Sequence, residues 1–190
     1  SLYTLSIPNY QLVVNMAGEL VETSVDNGDG TFTYNVPVRE GYTWSDGSPI
    51  TANDWEFTFD TVKNQTLGGN FLSSYPYSCE DEEGTAKNCV VSVVASDDYT
   101  VSITFNYDPG LSTWQYGTAQ GIAFSKAYWE QYATDKETLY AHDATNAPVA
   151  SAFVYDKLEQ GAFYTWKYDA NTMWYGGTTT IYDGGGTSID

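Results

Sequence analysis

The stretch from Gly41 to Phe59 restricts the fold more than any other, because it reads as a strand end, a tight turn and a helix start in immediate succession. Ser45-Asp46-Gly47 supplies the turn, since an Asp side chain bonds its own downstream backbone and Gly tolerates positive φ. Pro49 keeps Ser48 extended and out of the α region. Thr51 stands where an N-cap belongs, with Asp54 three residues later. Its hydroxyl can take an orphan amide while the carboxylate sits in the positive first turn. Trp55, Phe59 and Val62 then share one face at helical spacing. Trp55, Phe57 and Phe59 also alternate, so period alone leaves a strand open. The structural motif is Trp44, Asp46, Gly47, Pro49, Thr51 and Asp54.

A chain of 190 residues is long enough for one sizeable core and too short to make two large domains the expectation. Its 42% apolar and 17% charged residues are those of a globular protein. Aromatic residues reach 16%, a share that suits half-buried sheet surfaces and ligand platforms alike. A formal charge of −18, with seven Lys plus Arg, opposes binding to nucleic acid or anionic membrane. It reads first as solubility in a salty or extracellular setting and only second as a preference for cationic ligands. No apolar run approaches a transmembrane helix. No signal peptide opens the chain, so the numbering is expected to start inside a processed or trimmed protein.

Cys79 and Cys89 flank nine residues, of which Glu80 to Gly84 are polar and turn-forming. Disulfide pairing across this loop, in a secreted protein, is the preferred reading; two separate thiols in a reducing compartment are the alternative. A bridge here would contribute about 3 kcal/mol in the chain-entropy model. No Cys or His cluster has metal spacing, and the lone His142 lies in a polar stretch, so neither a metal site nor a cofactor is expected.

Residues 1–18 show no clean period and read as an irregular lead-in, with Ile7-Pro8-Asn9-Tyr10 extended or turning. Glu19 to Val25 is a possible strand before the hairpin turn Asn27-Gly28-Asp29-Gly30. Asp26 and Asp29 lack the bidentate Glu and spacing of a calcium loop, so they read as turn residues. In Thr31 to Val38, residues Phe32, Tyr34, Val36 and Val38 fall on one face, while Pro37 argues for an edge or a strand end. After the helix from Thr51 to Asn64, Asn70 to Tyr77 is an aromatic loop; Asn64-Gln65-Thr66 fits a glycosylation sequon.

Val90 to Ala95 and Tyr99 to Tyr107 flank Ser96-Asp97-Asp98 and read as a hairpin. Tyr99, Val101, Ile103, Phe105 and Tyr107 are expected to point inward. Leu111 to Tyr116 reads as a short helix bearing Trp114, Ser125 to Ala133 as a further helix, and Thr134 with Glu137 as a capping box. Phe153 to Lys157 and Ala162 to Tyr168 flank a further turn, with Ala162, Tyr164, Trp166 and Tyr168 on one face. Residues 178–190, with Gly184-Gly185-Gly186, read as a flexible tail or a cut end. The expected fold is α+β: a mixed, mostly antiparallel sheet of hairpins carrying two or three surface helices.

Trp44-Ser45-Asp46-Gly47, Pro49-Ile50-Thr51-Ala52 and Asp54, leading into an aromatic-rich helix, resemble the signature of the extracellular solute-binding proteins, family 5, of peptide-type ABC importers. Asp29-Gly30-Thr31-Phe32-Thr33-Tyr34 and Val38-Arg39-Glu40-Gly41 are similar to the run preceding that signature. The hairpin ending at Pro109 is similar to a later strand pair of the family. The block from Pro148 to Tyr155, with Trp174-Tyr175-Gly176-Gly177, resembles the return to the family's main sheet. Its usual turn glycines are replaced here by Ala150, Ser151 and Ala152. The resemblance spans residues 19–177 and implies the amino-terminal lobe of a dipeptide-binding-protein-like domain. The segment after the signature helix approaches the family's ligand cleft. The resemblance therefore makes Phe71, Tyr75 and Tyr77 ligand-contact candidates, and Trp114 is added to them.

The resemblance implies a solute-capture lobe of an ABC importer receptor, extracellular or periplasmic and tethered as a lipoprotein. Its solute would be a peptide or another small polar molecule, and its partner a permease. A stand-alone carbohydrate- or surface-binding module is the alternative, favoured by the Trp and Tyr content but expected to be all-β. A glycosidase fragment ranks last: no spacing among 25 acidic residues singles out a catalytic pair, and no Ser-His-Asp or Cys-His set is evident.

Overall fold

The computed structural model describes residues 1–6, 10–151, 153–159 and 161–169, together with the backbone of 181–182 and 188–189. The described chain is α+β and falls into two compact units. One comprises Ser1–Gly41 with Ile50–His142, the other Tyr42–Pro49 with Asp143–Asp190.

The first unit is built on a four-stranded antiparallel sheet in the order β3-β4-β6-β5, from β3 (Val25–Asp26), β4 (Phe32–Pro37), β5 (Val90–Asp97) and β6 (Thr100–Phe105). Alternation sets its two faces. Tyr34, Val36, Val93, Val101, Ile103 and Phe105 are buried, whereas the opposite face carries a polar ladder. On that face the Thr33 and Thr104 hydroxyls lie 2.9 Å apart, and Ser102 donates to Asn35 at 2.7 Å. Pro37 ends β4 beyond the reach of the two-residue β3, so its missing N–H costs no ladder bond.

Helix α1 (Ala52–Asn64) covers the buried face and packs on β5 and β6. Its cap resolves the helix-or-strand ambiguity of the alternating aromatics: Asp54 Oδ2 accepts the Thr51 N–H at 2.9 Å. Trp55, Phe59 and Val62 are buried at the expected spacing. Glu56 accepts the Ala95 N–H at 2.7 Å and ties the helix to β5.

Several expectations are corrected. The lead-in holds a strand pair, β1 (Tyr3–Leu5) with β2 (Leu12–Val14), because buried Leu2, Tyr3 and Met16 anchor it without any period. Of the segment 19–25 only Val25 is in a strand. The Val21 N–H and carbonyl are taken instead by the Tyr3 hydroxyl and the Trp114 indole, at 3.0 and 3.1 Å. Within the aromatic loop Asn70–Ser74 forms a short helix, α2. Tyr107 lies past the end of β6 and is exposed.

Helix α3 (Leu111–Trp114) forms as expected, but only Lys126–Trp129 of the next segment is helical, as α4, followed by turns. Helix α5 (Lys136–Ala141) is capped not by Thr134 but by Asp135, whose Oδ1 accepts the Thr138 N–H at 2.7 Å.

In the second unit Gly47 has φ 87° and closes the turn, with its N–H on the Trp44 carbonyl at 2.9 Å. Asp46 Oδ1 accepts the Ser48 N–H and hydroxyl at 3.0 and 2.6 Å. Ser45 exchanges two bonds with Val149, joining the turn to the later segment of the same unit. Strands β7 (Phe153–Glu159) and β8 (Phe163–Tyr168) pair antiparallel, with cross-strand aromatic contacts Phe153–Tyr168 and Tyr155–Trp166. The β8 aromatics share a face as expected, and it is exposed. The expectations for Ile7–Asn9 and 171–177 lie outside the described residues, as does most of the tail. Within the tail Ile181–Tyr182 (β9) pairs with Ser188–Ile189 (β10).

Candidate functional site

The α1 helix organises the surroundings of the aromatic candidates through two polar residues on its inner face. Asp54 is buried and splits its carboxylate: Oδ2 holds the helix cap, and Oδ1 accepts the Lys126 N–H at 2.8 Å. One turn on, the buried Thr58 hydroxyl donates to the Asp54 carbonyl at 2.6 Å and accepts the Phe124 N–H at 2.8 Å. The segment 122–125 leading into α4, which has no ladder to join, is thereby pinned along the helix, and the Phe124 and Lys126 N–H groups find acceptors. These two residues were not among the contact candidates. The signal for them is polar side chains at the i and i+4 positions on an otherwise apolar stripe.

Phe71, on α2, is half-buried and lies 5.6 Å from the Phe124 ring. Tyr75 is fully buried, with its edge against Phe59 at 6.1 Å and its hydroxyl donating to the Ile122 carbonyl at 3.1 Å. Burial drives its phenol pKa well above the usual value. Gly121 lies so close that a Cβ there would meet the Tyr75 ring at 3.0 Å. Tyr77 is half-buried and donates to the Leu67 carbonyl at 3.4 Å. Trp114 belongs to a different cluster: it is buried, stacks on Tyr34 at 3.8 Å and meets Tyr3 and Phe105 edge-on. Phe71, Tyr75 and Tyr77 thus sit around the end of α1, whereas Trp114 serves the far part of the sheet core.

Two concavities of the first unit adjoin these residues. One, of about 160 Å³, lies between α1, α2, α4 and α5 and is walled by Phe57, Phe71, Phe124, Trp129 and Tyr140, with Val62, Leu67 and Leu139 filling between them. Thr58 and Thr61 supply its aliphatic hydroxyls, and Tyr140 and Trp129 carry the other polar atoms among its lining residues. The other is broader, about 500 Å³, and open; Glu22, Asp26 and Asp108 ring it above Tyr34 and Trp114. Burial, then the nearby Asp108 charge, raises the Tyr34 pKa.

The two cysteines are joined, with Cα atoms 5.1 Å apart. The bridge closes a loop whose Lys87 N–H bonds the Cys79 carbonyl at 2.8 Å, while Cys89 N–H bonds Asn106 Oδ1 at 2.8 Å. It therefore sets the entry into β5. His142 stacks on Tyr132 at 3.5 Å, and its Nε2 lies 2.9 Å from the Tyr128 hydroxyl. Among the described residues no group of His, Cys, Asp and Glu is arranged to hold a metal, and no helix is long and apolar enough to cross a membrane.

Known proteins share both sequence and fold with this chain. It is 36% identical over 53 residues to the oligopeptide-binding protein OppA of Lactococcus lactis subsp. cremoris, covering 28% of this chain and 8% of that protein. In fold it is similar to the oligopeptide-binding protein AppA of Bacillus subtilis, solved with a nonapeptide, at a TM-score of 0.65 and 13% identity. That match covers 90% of this chain and 30% of AppA. It is likewise similar to a periplasmic oligopeptide-binding protein of Thermotoga maritima, solved with mannohexaose, at a TM-score of 0.66 and 18% identity. There it covers 92% of this chain and 28% of that one. The chain thus spans under a third of each of these proteins. The profile of the bacterial extracellular solute-binding proteins, family 5, matches residues 15–186, and the chain belongs to that family.

Proposed function

We propose that this chain is the amino-terminal lobe, over residues 19–177, of a receptor that captures a small solute for an ABC importer and delivers it to the permease. The observation that carries this reading is the family match over residues 15–186. A peptide is the favoured solute, since the relatives include oligopeptide- and dipeptide-binding proteins. Capture needs no bond chemistry; two lobes close on solute by hinge motion, with aromatic walls and a few polar groups fixing its pose.

Within the lobe, Phe71 and Tyr77 are proposed to face solute, because each keeps part of its ring exposed. Tyr75 and Trp114, both buried, are proposed to support rather than touch it. The receptor is proposed to work outside the cytoplasmic membrane, tethered as a lipoprotein. The presence of the 13-residue helix α1 argues against the all-β module.

The test is a thermal-shift screen of the intact receptor against peptide and manno-oligosaccharide libraries, with a chromogenic glycoside assayed alongside. Capture predicts that one class raises the melting transition without turnover. No shift from any member of either library overturns it, and glycoside hydrolysis would favour an enzyme.

A further inference from the structure

The aromatic pocket beside α1 shares Phe71 with the proposed solute contacts, but its own lining argues for a narrower chemistry. We propose that it is a binding site for one neutral aromatic group, from a single ring up to an indole. Its size sets the upper limit: about 160 Å³ is close to the roughly 150 Å³ of an apolar cavity that stays dry and admits benzene.

Its lining sets the chemistry. Phe57 of α1, Phe71 of α2, Phe124 just before α4, Trp129 of α4 and Tyr140 of α5 bring five rings to the lining. Phe71–Phe124 and Phe124–Trp129 are tilted by 53° and 60°, at 5.6 and 5.9 Å. Tilted rings of this kind offer both faces and edges to a further ring in the offset and edge-to-face arrangements that aromatic pairs prefer.

A charged group would find no counter-charge in the wall. The lining exposed to the pocket is almost wholly apolar, and its most deeply placed hydroxyl, that of Thr58, is already committed to the Asp54 carbonyl and the Phe124 N–H. The Phe124 bond to Thr58, with that of Lys126 to Asp54, ties residues 124–126 to the helix and holds that wall in place. The mouth is accessible: Tyr140 is 61% exposed, and Phe71 and Leu139 are half-buried. The aromatic group can belong to a free small molecule or to a side chain presented by a peptide; the cavity chemistry is the same for both.

Fluorine NMR of the intact receptor separates the two sources, with 5-fluoroindole as the free probe and a Gly-(5-fluorotryptophan)-Gly tripeptide as the side-chain probe. Leu139→Trp and Thr61→Phe each fill the cavity from a half-buried position, and unlabelled benzene serves as competitor on the unaltered chain. The expected result is a saturable shift of at least one probe, reversed by benzene and weakened at least tenfold by either filling substitution. A response to the indole alone makes the site one for small molecules, and a response to both makes it one that also takes side chains; either upholds the proposal. No saturable shift from either probe, binding indifferent to benzene, or affinity in both filled variants equal to that of the unaltered protein overturns it.

Discussion

Asp54 does more than its sequence position announces. Its placement in the first turn reads as helix capping, and it caps; but its second oxygen also holds Lys126, which is remote in sequence. Asp54→Ala would leave two N–H groups without their acceptor, at a cost of about 2–4 kcal/mol in urea unfolding, with Asp54→Asn intermediate because one carbonyl acceptor survives. Equal losses for the two variants would contradict this account. Tyr3 gives a pH signature. Burial, its largest cause, pushes its phenol from 10.0 up to about 12. The folded protein therefore favours the neutral phenol. Its contribution to stability is complete below pH 10, the unfolded value, and is lost as pH rises through about 12. Urea midpoints should hold level up to pH 10 and then fall, less steeply in Tyr3→Phe.

At the scale of elements, legibility followed length and period. Helix α1 and the β5–β6 hairpin could be read because each repeats one pattern over many residues: a capped apolar stripe in one, strict alternation in the other. The stretch from 111 to 142 could be read only in part: α3 and α4 fall inside segments read as helical, but the helices run just four to six residues. Such helices are held by tertiary bonds such as Lys126 to Asp54, not by propensity. The aromatic candidates show the same limit. Tyr75 and Phe71 are four residues apart, yet one is sealed in the core and the other lines a cavity. That difference comes from Gly121 and Ile122 closing over Tyr75, which no local pattern records. The Cys79–Cys89 bridge was legible from its polar loop, and its energetic role is testable. The double Cys79→Ala, Cys89→Ala variant should lose about 3 kcal/mol in the chain-entropy model, measured by urea unfolding. A loss confined to a few tenths would mean that the loop is held by its backbone bonds alone.

At the scale of the molecule, the motif read as one run serves two units. The turn from Tyr42 to Pro49 belongs to one, and the helix that follows belongs to the other. The family was legible because that run combines backbone requirements that few sequences meet together: a turn glycine at φ 87°, a proline and a capped helix within a short span. The solute was not legible: no residue pattern in the sequence names one, and the chain spans under a third of the solved proteins it resembles. The most direct test of the capture proposal is equilibrium dialysis of a mixed peptide pool against the intact receptor, with mass spectrometry of what is retained. The account predicts that a restricted set of peptides is held at one per receptor and released on unfolding. Retention no greater than that of an unrelated acidic protein of similar charge would contradict it.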